Sequence, residues 1–139
     1  VSPLRFLRLL FLWGPPVAYL GLIFYLSAQS SVPWASHYPD KLLHALEYMA
    51  LALLLARALN GGLGRVPAAR LLLWTWGACV VWAISDELHQ NFVPGRDCDP
   101  LDATADAVGA ALGLVALRLA LGFWHGPGGA SLRGPRSAD

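Results

Sequence analysis

Carboxylates and imidazoles recur in this chain at spacings that a helix brings onto one face. At ~100° per residue, Asp40, His44 and Glu47 fall on one stripe with Tyr48 beside it, and Asp99, Asp102, Asp106, Gly109 and Gly113 form another. Between them, Asp86, His89 and Gln90 share a side, with Glu87 and Asn91 further round; Ser27, Gln29, Ser30 and Ser31 close the first apolar stretch. Five or six acids would then share a region with two fixed cations, Lys41 and Arg96, and with His44 and His89. Carboxylates crowded in a low-dielectric site cannot all ionise cheaply, so some hold protons or a cation balances them. A protonated carboxyl beside an imidazole suits general acid–base work. Acids with histidine also suit a divalent cation, although no HExxH motif is present and no CxxC indicates a thiolate zinc site. Arg96 follows a Pro-Gly turn and is expected either to salt-bridge Asp99 or Asp102 or to grip a phosphate or carboxylate with its fork.

Each feature also has a plainer reading. Asp40 and Asp99 could be helix N-caps, where an acid suits the helix dipole. Gly109 and Gly113 make a GxxxG pair, which points to close helix packing. Glu47, Asp86 and Glu87 are harder to set aside. They lie one to two turns inside apolar blocks, where an ionisable group is a functional hypothesis by default.

The elements that must position these groups are four apolar blocks: about Leu7 to Ala28, Lys41 to Leu59, Leu71 to Phe92 and Leu101 to Trp124. The whole chain, 139 residues, is 56% hydrophobic and only 14% charged, with a mean hydropathy of +0.50. Soluble domains are about 25% charged. The sequence therefore predicts an all-α integral membrane bundle of four transmembrane helices over residues 1–125. Blocks two to four reach the ~20 residues a membrane helix needs only with their polar ends, so a soluble four-helix bundle is the alternative. It lacks the polar faces such a bundle requires. Gly14-Pro15-Pro16 should kink the inner end of the first helix, or start the helix proper. Arg5 and Arg8 ahead of a long apolar stretch read as a retained signal anchor. Residues 126–139, rich in Gly, Pro, Ser and Arg, read as a disordered cytoplasmic tail.

Arginines at positions 5, 8, 57, 65, 70, 133 and 136 lie before the first block, around the second link or after the fourth block, with Arg118 near the inner end of that block. The positive-inside rule then places both termini in the cytoplasm. Eight of the nine acids fall at the opposite, outward end, and Asp139 is the exception. Trp13, Trp34, Trp74 and Trp124 suit interfacial anchors. The net charge of +1 gives no basic excess for nucleic acid.

These segments resemble the VanZ-like family of small bacterial membrane proteins. Ser27-Ala-Gln-Ser30 is similar to its motif ending helix one, and Asp40-Lys41-Leu-Leu-His44-Ala-Leu-Glu-Tyr48 to its DK-xx-H-xxx-Y segment. Glu87-Leu-His-Gln90, Pro94-Gly95-Arg96 and Asp102-Ala-Thr-Ala-Asp106-Ala-Val-Gly109 resemble its E-xx-Q, GR and D-xxx-(N/D)-xx-G signature. The chain departs from the common pattern at Asp99, often Ser there, and at Asp106, often Asn. The resemblance implies a four-helix protein of the bacterial cytoplasmic membrane, from a family whose founding member is associated with low-level teicoplanin resistance. It carries no implied biochemical activity, and no appended domain suggests a second function.

The expected site is an outward polar pocket that recognises, and could modify, an envelope lipid or amphiphile. His44, Glu87, Asp102 and Asp106 form its core, Arg96 and Lys41 contact anions, and Gln90, Tyr48 and Ser27 orient them. A proton- or cation-coupled lipid or small-molecule transporter and a non-catalytic structural or accessory protein are the alternatives. The inner halves of the helices carry no polar path for transport.

Overall fold

The structure, a computed structural model, describes residues 2–30 and 37–126. Ser31, Trp34, Arg133, Arg136, Asp139 and all but the first residue of the expected tail lie outside the described residues. The chain is all-α, with α1 Pro3–Ser27, α2 Asp40–Leu59, α3 Ala69–Gln90 and α4 Pro100–His125. Each helix is long and apolar enough to cross a membrane. At 1.5 Å per residue even α2, the shortest, spans about 30 Å, the thickness of a hydrocarbon core. Large apolar side chains point outwards around the bundle, among them Phe11, Leu73, Trp74, Val81, Leu119 and Phe123. In water these would form an apolar surface far beyond what a monomer tolerates. The soluble bundle is therefore set aside, and lipid is the solvent of these faces.

α1 differs from its expected form. It begins at Pro3 and runs unbroken through Pro15 and Pro16. Pro3 stands in the first turn, where a missing N–H costs nothing because no intrahelical acceptor exists there. The inner pair is tolerated because neighbouring groups in a membrane bundle can re-satisfy the freed carbonyls. Arg5 and Arg8 accordingly lie on α1 rather than before it.

α2 packs against all three other helices, most extensively against α4. The reason lies in two glycines. A Cβ on Gly109 would stand 2.6 Å from the Ala45 Cα, and one on Gly113 would stand 2.8 Å from the Met49 Cγ. The backbones of α2 and α4 thus touch across GxxxG, as the spacing predicts. Small buried residues, Ala52, Ala56, Cys79, Ala83 and Ala110, continue the tight packing through the core. Arginines anchor the end opposite the acids. There the Arg57 Nη1 donates to the Phe11 carbonyl at 3.0 Å and the guanidinium lies 4.3 Å above the Phe11 ring. Arg118 donates to the Pro67 carbonyl. These bonds put the start of α1, the α2–α3 link and the end of α4 at one end of the bundle, opposite the acids.

Candidate functional site

Three helices build the main cluster at the acidic end. The first turn of α2 presents Lys41, whose Nζ donates to the Asp99 Oδ2 at 2.6 Å and also to Asp102, with the Asp40 Oδ2 at 3.5 Å. One turn on, the His44 Nδ1 meets the Asp106 Oδ1 at 3.0 Å. The His44 Nε2 lies 3.8 Å from Asp102 and 3.9 Å from Asp40, too far for a hydrogen bond to either. From α3, the Glu87 Oε2 accepts the Asp99 backbone N–H at 2.9 Å. The other oxygen of Glu87, Oε1, is buried and has no hydrogen-bond partner among the described residues. Lys41, His44, Glu87, Asp102 and Asp106 therefore converge, although they stand up to 65 positions apart in sequence.

Asp99 is the N-cap of α4 and its Oδ1 accepts from the Leu101 N–H at 2.9 Å. The Lys41 ammonium and this amide hold the Asp99 carboxyl below its ordinary pKa of 3.8. Asp40 is not a cap. Pro39 occupies that position with no side-chain bond, and Asp40 is the first helical residue. A carboxylate there still suits the positive end of the helix.

A second group joins α1 to α3. The Ser27 hydroxyl donates to the Asp86 Oδ2 at 2.6 Å, and the Gln90 Nε2 donates to the same oxygen at 3.1 Å. Ser27 and Gln90 thus orient Asp86, which was left out of the expected core although its place inside an apolar block had marked it. The Asp86-to-Gln90 spacing of one helical turn was the available signal. Gln29 bonds back to the Tyr25 carbonyl of its own helix, and Ser30 is exposed. The Tyr48 hydroxyl is buried without a partner. Glu47, three residues beyond His44 on the same stripe, was also left out of the core.

Arg96 ends a tight turn, Val93-Pro94-Gly95-Arg96, closed by its N–H to the Val93 carbonyl at 3.1 Å. Pro94 and Gly95, with φ +82°, fit a type II turn, whose third position needs a residue without a Cβ. Among the described residues Arg96 makes no ion pair with Asp99 or Asp102, because Lys41 holds both. Its Nε is buried without a partner, and its charge acts on Glu47. His89 stacks on Phe24 of α1, with ring centroids 4.7 Å apart, and so turns away from His44.

Two triads of this cluster place their ligand atoms within 4.8 Å of one another: Asp40, His44 and Asp102, and His44, Glu87 and Asp106. The VanZ/LLP1 family model matches residues 15–121. The chain belongs to this family. The VanZ/LLP1 match takes in all of α2 and α3, most of α1 and α4, and every residue of both clusters. The two positions that depart from the common VanZ-like pattern are both engaged: Asp99 caps α4 and binds Lys41, and Asp106 binds His44. Comparison with curated proteins and with solved structures returned no match.

Proposed function

We propose that the acidic end of this VanZ/LLP1 protein recognises the polar headgroup of a cell-envelope amphiphile. In this reading the acidic end faces outwards from a bacterial cytoplasmic membrane and both termini are cytoplasmic. One observation carries the proposal. Glu87 is 4% exposed, keeps one oxygen without a partner among the described residues, and places a carboxylate oxygen within 4.8 Å of His44 and Asp106. A buried acceptor left unmatched costs about 1–3 kcal/mol. A purely structural network tends to remove that cost, whereas a binding site keeps the acceptor for its ligand. The Tyr48 hydroxyl and the Arg96 Nε are unmatched in the same way. Together they offer acceptors to hydroxyl or ammonium groups of a headgroup, and a guanidinium to its anionic part. Asp106 fixes the His44 imidazole and leaves Nε2 without a hydrogen bond, an arrangement able to pass a proton if the site also modifies its ligand. The family association with teicoplanin resistance supports an amphiphile at the cell envelope.

Coupled transport is disfavoured by the other half of the bundle, where α2 and α4 bury Leu51, Ala52, Ala56 and Leu114. Native mass spectrometry of protein gently extracted from its membrane tests the reading. An amphiphile should stay bound to the wild type and be lost from Glu87→Gln. Equal adducts on both proteins would exclude Glu87 from recognition.

A further inference from the structure

We infer that His44, Glu87 and Asp106 form a site for one divalent cation of the Zn2+ or Mn2+ class. This builds on the headgroup reading of the acidic end, but it stands on ligand geometry of its own. The three residues come from α2, α3 and α4, and each places one nitrogen or oxygen within 4.8 Å of the other two. Neighbouring ligands of a tetrahedral ion, bound at about 2.0–2.2 Å, stand about 3.3–3.6 Å apart, so the three side chains close by about 1 Å on the ion to complete the set.

A group of acids alone would mean little. Two further features point to a cation. Glu87 is 4% exposed, and among the described residues its Oε1 has no hydrogen-bond partner, so a ligand atom stands ready in a buried place. Charge points the same way. Eight acids share this end of the chain with only Lys41 and Arg96 as fixed cations. Lys41 is spent on Asp99 and Asp102. Asp106, 1% exposed, has His44 as its one hydrogen-bond partner.

The neighbouring triad, Asp40, His44 and Asp102, fits less well. The Lys41 ammonium bonds Asp102 and lies 3.5 Å from Asp40, so a metal ion there would meet a positive charge at close range. Among the described residues no lysine or arginine is paired with His44, Glu87 or Asp106. One imidazole with two carboxylates selects zinc or manganese over magnesium or calcium, which prefer all-oxygen shells. The occupied site would leave open positions on the ion for an anionic headgroup oxygen.

Zinc titration of the full chain in lipid nanodiscs, followed by calorimetry, tests the site. The wild type should bind one equivalent. Glu87→Gln and Asp106→Asn should each weaken binding by more than roughly tenfold, since even outer-shell partners of a metal ligand are worth that much. His37→Ala and His125→Ala, which remove exposed histidines, should leave it unchanged. Binding that survives both carboxylate variants, or that falls only with an exposed histidine, overturns the site. X-ray absorption at the zinc edge of the wild type gives a reading free of any variant's folding. One imidazole with oxygen ligands is expected, and a sulfur shell from Cys98 would contradict it. Amphiphile capture without any zinc binding would discard the ion and leave the headgroup reading standing. Zinc binding without amphiphile capture would keep the ion and discard that reading.

Discussion

Single side chains at the acidic end divide into those that are matched and those that are not. Lys41 and Asp99 are matched, so their contribution is to stability and is pH-dependent. The folded pKa of Asp99 lies below its ordinary 3.8, so protons bind it more weakly folded than unfolded. Its stabilisation is present above pH 3.8 and is lost as pH falls through the lower folded value. Thermal unfolding in detergent should show the wild type weakening below pH 3.8, and Asp99→Asn should show a shallower acid loss. Arg96 belongs to the unmatched group. Arg96→Lys keeps the charge but removes the fork and the buried Nε, so amphiphile retention should fall several-fold with abundance unchanged. Retention equal to wild type would remove Arg96 from the site.

At the level of helices, contact between α2 and α4 fixes where every site residue stands. Gly109→Leu would drive a side chain into the Ala45 backbone, at a cost of roughly 1–3 kcal/mol or more, and should lower membrane abundance. Gly77→Ala in α3 meets nothing within 4 Å and should be tolerated; quantitative blotting of membranes separates the two. This pairing was legible in the sequence, because glycines four apart beside a polar stripe have few other uses in a membrane helix. The four spans and the convergence of His44, Glu87, Asp102 and Asp106 were legible too, since helical periodicity and the cost of a charge facing lipid leave one inward direction. The partners were not. Two cations compete for the same acids, and no spacing rule says that Lys41 takes Asp99 and Asp102 while Arg96, among the described residues, pairs with neither. Nor does periodicity say that Ser27 and Gln90 serve Asp86, because that choice depends on how α1 leans on α3. The expected start near Leu7 falls one turn late, because Pro3–Phe6 stand ahead of the apolar block and yet continue its helix, and Pro15 is carried within α1 because Arg57 donates to the Phe11 carbonyl it frees.

The described residues are polarised, with every arginine but Arg96 at one end, the acids at the other and an apolar belt between. Orientation in the membrane is proposed from the arginines and can be measured with the chain's own thiols. Cys98 is exposed and Cys79 buried. A membrane-impermeant maleimide applied to intact cells should label Cys98, and should not label a cysteine placed at Leu63 in a Cys98→Ser background. Labelling at position 63 would turn the acidic end towards the cytoplasm. The central claim is that the buried acids serve a ligand and do not merely join the helices. Its most direct measurement compares membrane abundance with tolerance of a susceptible bacterium to a lipid-bearing glycopeptide, across Glu87→Gln, Asp102→Asn and Gly109→Leu. A glutamine at 87 can still accept the Asp99 N–H, and an asparagine at 102 can still accept from Lys41, so shape is kept while charge is removed. On the proposed function the wild type should raise tolerance, and both variants should reach near-normal abundance without raising it, while Gly109→Leu loses abundance itself. If the two charge-neutral variants fall in abundance as far as Gly109→Leu does, the acids are structural and the headgroup site is contradicted.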